Sequence, residues 1–240
     1  MSSEVRKALD VLRSDGFIPL IRKGVPFAHN NYISSYLPRT VVRYNGVPVK
    51  AGRLFDTALP EREGHLPESE SGLISAISRH ISPGDNVETD GGGWGVTTVA
   101  VAIQLGSYGS VTVFEGAQRE FKRVKETVTL NSVSAIVEVQ HAIIGPKINL
   151  KSAAGDPNRI LPDQLPHCDV LDLDCEGSEI GILQNLSLRP ENIFVETHGI
   201  CDSPTNEVKK SSKNYTMKSL TVISEPKTTE PIVRNTTSTF

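Results

Sequence analysis

The chain has 240 residues, 38% of them hydrophobic and 22% charged, with 25 Lys and Arg against 28 Asp and Glu for a net charge of −3. At about 150 residues per domain this is one large domain or one domain with an elaboration. The composition supports a sizeable core and excludes wholesale disorder, and the near balance of charge argues against a protein that coats nucleic acid.

No apolar run approaches the roughly 18 residues of a membrane span. The opening MSSEVRKALDVLRSDG carries no apolar stretch of the kind a signal peptide needs. Three cysteines, Cys168, Cys175 and Cys201, cannot all pair with one another. A reduced, cytoplasmic protein is the expectation.

In chain order, residues 1–70 read as an irregular extension. Val5, Leu9 and Leu12 fall at i, i+4 and i+7, which predicts a short amphipathic helix ending near Asp15-Gly16. Thr40–Tyr44 and Val47–Val49 flank Asn45-Gly46, a hairpin signal because both turn residues must accept positive φ. The polar run 60–71 marks a boundary, and Leu73, Ile74, Ile77 and Ile81 then share one face of a helix predicted over Ser71–Ile81.

From Gly84 short β-rich runs alternate with helical stretches. Strands are predicted at Asn86–Asp90, Ser110–Glu115, Ala135–Gln140, Asp169–Asp174 and Asn192–Thr197. Helices are predicted at Gly95–Leu105, Ala117–Asn131 and Ser178–Asn185. Such alternation implies βαβ units and a parallel sheet covered on both faces, an α/β fold. At the end, Leu220–Ile223 and Ile232–Phe240 read as two strands around a Pro226–Pro231 turn, antiparallel because no long helix separates them.

Asp90-Gly91-Gly92-Gly93-Trp94-Gly95 joins the first of these strands to a helix. Glycines let the backbone turn sharply and approach a ligand at a helix N-terminus. Position 96 is Val, so the third glycine of a dinucleotide fingerprint is missing and no pyrophosphate cradle is expected. Glu115 ends the second strand, where an acid can accept hydrogen bonds from both hydroxyls of a ribose; a surface acid opening the next helix is the plainer alternative.

Residues 169–179 carry five acids (Asp169, Asp172, Asp174, Glu176, Glu179), while Val170, Leu171 and Leu173 mark a buried strand. Carboxylates in such a place are costly unless bound or at the strand's C-terminal edge. That singles out Asp174 and Glu176, with Asp172 a structural acid and Glu179 a first-turn helix acid. On the following strand Glu196 and His198 share a face, and His198 next to carboxylates can serve as a general base. Asp174, Glu176, Glu196 and His198 are also possible oxygen and nitrogen ligands, but they show no strict ligand spacing, and no metal is expected.

Pro83–Val87, Gly91–Gly95, Val113–Glu115, Leu130-Asn131, Ala142–Gly145 and above all Asp174-Cys175-Glu176-Gly177-Ser178-Glu179 together resemble the FkbM-type methyltransferases over roughly residues 70–225. The resemblance implies a Rossmann-like class I methyltransferase fold, with a mostly parallel seven-stranded sheet, an antiparallel last strand and helices on both faces. It implies S-adenosylmethionine as cofactor and a hydroxyl of a sugar, glycan or related small molecule as acceptor. Carried over, Gly91, Gly92, Gly93 and Gly95 pass under the methionine part, Glu115 with Gly116 beside it holds the ribose, His141 and Ala142 border the adenine, and Asp174 faces the sulfonium. The family's acid two residues before the first loop glycine is here Thr89, and its lysine in the Asp174 strand is here Asp172. The expected protein is thus an extension (1–70) on a methyltransferase domain (71–240) that transfers a methyl group to a hydroxyl, with His198, Asp174 and Glu176 as candidate bases. Its rivals are a methyltransferase-like binding module without activity and a nicotinamide-dependent oxidoreductase.

Overall fold

A computed structural model of the chain describes residues 36–53, 71–145, 155–175, 177–197 and 219–224. The chain divides into two compact units, 1–43 with 49–67, and 44–48 with 68–240. The first contributes most of β1 (Arg39–Tyr44) and β2 (Val47–Arg53), a two-stranded sheet whose turn residues Asn45 and Gly46 have φ of 46° and 82°. The helix expected near residues 5–12 lies outside the described residues.

The second unit is built on six parallel strands in the order β10-β9-β8-β3-β4-β5. They are β3 (Asn86–Asp90), β4 (Ser110–Phe114), β5 (Val137–Gln140), β8 (Val170–Leu173), β9 (Asn192–Thr197) and β10 (Ser219–Ser224). Chain order reverses between β3 and β8, where Val87 pairs with Val170 and Asp90 with Leu173. Numbered along the chain, the sheet is the doubly wound 3-2-1-4-5-6 arrangement, whose ligand crevice lies beyond the carboxyl ends of the strands at that reversal.

Period-two alternation sends side chains to both faces, and both are buried. On one face Val87, Val111, Val113, Val170 and Phe194 meet Leu73 and Ile77 of α1 (Ser71–Ser78), Val101 and Leu105 of α2 (Val96–Leu105), and Val124 and Val128 of α3 (Gln118–Leu130). On the other, Phe114, Leu171, Leu173, Ile193 and Val195 meet Ile182 and Leu183 of α4 (Glu179–Asn185). Each such side chain contributes about 1.5–3 kcal/mol by burial. The α3 sequence shows the logic: Val124, Thr127 and Val128 face inward at i, i+3 and i+4, while Arg119, Glu120 and Arg123 form ion pairs on the outer side.

Two elements differ from the sequence reading. The apolar stripe of α1 continues to Ile81, but the helix ends at Ser78 and a turn carries Ile81 back to Ile77. A small parallel pair, β6 (Ala142–Ile144) with β7 (Asn158–Ile160), was not anticipated. At the far edge β10 runs parallel to β9. The strand expected over 232–240, and with it the antiparallel ending, lies outside the described residues.

Candidate functional site

The reversal between β3 and β8 brings the glycine turn and the acidic strand end together. The Asp174 N–H donates to the Asp90 carbonyl (2.8 Å), and the Gly91 N–H to the Phe114 carbonyl (2.9 Å), so the three strand ends are laced to one another. Gly91 has φ of 99°, and a Cβ there would collide with the Asp174 carbonyl. Gly93 (φ 49°) is exposed, and Gly95 (φ 76°) opens α2 in the left-handed region. At Gly91 only glycine gives both the turn and the close approach.

Glu115 lies across this turn. Its Oε2 accepts from the Gly92 N–H (2.9 Å) and the Gly93 N–H (3.3 Å), and its Oε1 from the Ala117 N–H (2.7 Å). Burial raises its pKa against the opposing pull of those three donors. Glu115 therefore holds the loop in place, a task the sequence reading did not assign to it. Beside it, the Gly116 carbonyl accepts from His141 Nε2 (3.1 Å), which places a proton on that nitrogen. The His141 ring lies 5.1 Å from the Phe121 ring, and Ala142 is buried, its N–H donating to the Glu115 carbonyl. Glu115, Gly116, His141 and Ala142 are thus one hydrogen-bonded cluster at the ends of β4 and β5, with all but His141 buried.

The acidic edge has a further member, Asp90, which the sequence reading named only as a flank of the glycine turn. Asp90 is buried, and its pKa is pushed up to about 8, first by desolvation and then by Glu115, Glu179 and Asp174, with a hydrogen bond from the Cys175 thiol opposing. Burial among carboxylates therefore favours its protonated form. Cys175, fully enclosed with Asp90 and Glu179 nearby, has its thiol raised well above the ordinary range. The signal for Asp90 in the sequence was its place directly before the first glycine, where the alternation of β3 puts it opposite Thr89.

Asp174 stands at the β8 edge, half-buried. Glu179 is buried, and both its oxygens accept from the Gly177 N–H (3.1 and 2.9 Å), the first-turn role expected of it. Asp172 is buried on the face opposite Asp90, in register with Thr89 and Phe194 and one residue short of the end of β8. Glu196 is buried on that same face. Glu176 and His198 lie outside the described residues. Among the described residues no group of three or more His, Cys, Asp or Glu is placed to hold a metal ion.

Trp94 projects from the glycine turn between two neighbours. The Arg123 guanidinium lies 4.1 Å from its ring centre, and Tyr44 meets it edge-on at 6.2 Å.

No protein family and no curated protein matches the chain. Solved structures do. A SAM-dependent O-methyltransferase from Thermotoga maritima is 16% identical with a TM-score of 0.40, covering 73% of this chain and 61% of its own. An O-methyltransferase from Bacillus cereus in complex with SAH is 16% identical, TM-score 0.35, covering 52% and 53%. A putative rRNA-methylase from Clostridium thermocellum is 12% identical, TM-score 0.37, covering 64% and 67%. The chain thus spans about half to two thirds of the length of these three. Likeness of this degree does not extend to ligands or residue roles. The class that the coordinates themselves define is an α/β protein with a doubly wound parallel sheet and a glycine turn at its switch point.

Proposed function

We propose that this protein is an S-adenosylmethionine-dependent O-methyltransferase acting on a hydroxyl of a sugar, glycan or related small molecule. The observation that carries the reading is the charge and occupancy of the switch point. The loop amides of Gly92 and Gly93, which would cradle a pyrophosphate in a dinucleotide site, are already taken by the Glu115 carboxylate. Asp174 and Glu179 stand near Asp90, whose own charge burial suppresses. An anionic edge of this kind repels a diphosphate and favours a cation, and the sulfonium of S-adenosylmethionine is one. The motif residues that resemble the FkbM-type enzymes support the same cofactor.

In this reading Gly91, Gly92, Gly93 and Gly95 let the backbone pass under the methionine part, and Asp174 faces the sulfonium. Glu115 and Gly116 meet the ribose, with His141 and Ala142 at the adenine. The cofactor supplies an activated methyl group, so the chain's own task is to align acceptor and donor and exclude water. A base takes the hydroxyl proton, with His198 first and Asp174 or Glu176 next. The chain works in the cytoplasm and needs no metal.

Thermal-shift measurements with S-adenosylmethionine and with NAD test the reading. Stabilisation by the first alone is expected; stabilisation by NAD alone would favour the oxidoreductase. S-adenosylmethionine binding without turnover on any hydroxyl acceptor would favour the inactive binding module. His198→Ala should lower turnover by about 10²–10⁴ and leave cofactor affinity nearly unchanged. Normal turnover would move the base to Asp174 or Glu176.

A further inference from the structure

The whole-chain charge of −3 conceals an asymmetry. Residues 17–55 carry six basic side chains, Arg22, Lys23, Arg39, Arg43, Lys50 and Arg53, and no Asp or Glu, where the chain's average of 28 in 240 would put four or five. Residues 56–240 carry 25 acids against 16 bases, a net −9. In the described part of the basic segment β1 alternates. Arg39, Val41 and Arg43 form one exposed face, while Thr40 and Val42 are half-buried and Tyr44 is buried on the other. Val41 is 51% exposed, and Tyr36, just before the strand, 87%. Charges on a two-stranded sheet guard its edges against pairing with another chain. Either sign serves that task, and it does not account for 39 residues without one acid.

We propose that this face of the hairpin docks an acidic glycan, a sugar chain with carboxylates at intervals, which carries the acceptor hydroxyl. The inference rests on the reading of the acceptor as a sugar and narrows it to an anionic class. An arginine guanidinium matches the two oxygens of a carboxylate as a fork. Val41 and Tyr36 offer apolar area to the CH faces of sugar rings. Arg39 and Arg43, four residues apart, stand about 13 Å from one another along the strand, with Val41 between them. A nucleic-acid strand instead presents a phosphate about every 3.4 Å. The net −9 of residues 56–240 also opposes so dense an anion. Widely spaced carboxylates meet both conditions. Arg43 is followed by Tyr44, whose ring meets Trp94 edge-on, so the docking strand runs within one residue into a contact with the turn proposed to meet the methyl donor.

Biolayer interferometry on immobilised hyaluronate, which has one carboxylate per two sugars, and on neutral dextran tests the surface without any cofactor. The full chain should bind hyaluronate and not dextran at about 20 mM NaCl, and release it at about 500 mM, where screening is nearly complete within a few ångströms. Arg39→Gln together with Arg43→Gln should weaken hyaluronate binding about two- to thirtyfold, the range for two exposed ion pairs. Its affinity for S-adenosylmethionine by calorimetry should stay unchanged. If the double variant does not fold, Arg39→Gln alone should weaken hyaluronate binding by up to about fivefold. Equal binding of dextran would overturn the inference, and so would undiminished hyaluronate binding by the variants. Tighter binding of polyuridylate RNA or of phosphatidylglycerol vesicles than of hyaluronate would overturn it in favour of those partners. A chain that binds hyaluronate but not S-adenosylmethionine would sink the cofactor reading and leave the docking surface standing.

Discussion

Three backbone N–H groups converge on the Glu115 carboxylate, and that convergence sets what its removal should do. Hydrogen bonds to a charged group contribute about 1.5–3 kcal/mol each. Glu115→Ala should therefore lower S-adenosylmethionine affinity tens-fold or more and also lower the urea midpoint, because Gly92, Gly93 and Ala117 lose their acceptor. Calorimetry showing unchanged affinity with a lowered midpoint would confine Glu115 to holding the loop. The sequence made Glu115 conspicuous through its spacing from Gly91, but spacing says nothing of which groups it meets. Asp90 and Cys175 escaped for a related reason. Their interest comes from burial beside residues distant in sequence, which the place of Asp90 directly before the first glycine does not by itself reveal.

At the scale of elements, the glycine turn is where backbone conformation and packing act together. Gly91→Ala must place a methyl group against the Asp174 carbonyl at a φ that L-residues rarely adopt. Gly46→Ala, at φ 82° in the hairpin turn, meets open space. The Gly46 change should cost about 1–2 kcal/mol, the Gly91 change several, as read from urea midpoints. Equal costs would mean that φ alone matters and that the contact between β3 and β8 relaxes freely. Strands were legible where apolar alternation was strong: β3 and β9 occur at their expected bounds. The pair β6–β7 was not, because three-residue strands carry too little pattern to register. The direction of β10 depends on its ladder with β9, a non-local pairing that no local pattern encodes.

For the molecule as a whole, two buried acids make stability depend on pH in an unusual direction. Glu88 is raised from 4.5 to about 7, chiefly by burial, with a hydrogen bond from Thr112 opposing and Glu138 adding to the rise. Asp90 is raised from 3.8 to about 8. In both cases the folded state holds protons more tightly than the unfolded one, so the associated stability is complete below about pH 4 and is lost as pH rises through about 7 and 8. With these two groups dominating that window, the urea midpoint should fall between pH 5 and pH 8.5. Glu88→Gln with Asp90→Asn should flatten the decline. A midpoint that rises over that range would show that Glu88 and Asp90 are ionised in the folded protein. The parallel sheet and its covering helices were readable from the alternation of apolar runs, since βαβ order leaves few topologies. The electrostatics of its interior were not, because they arise only once the strands are side by side.

The chain contains a single tryptophan, and it is Trp94, held between the Arg123 guanidinium and the Tyr44 ring on the glycine turn itself. Excited at the red edge, where tyrosine does not absorb, its emission therefore has one source, located in the loop proposed to meet the cofactor. A ligand that shifts the turn by even a small amount alters the stacking with Arg123, and with it the quantum yield and emission maximum. The protein carries its own optical reporter for that loop, free of any label and of any second indole to obscure the signal.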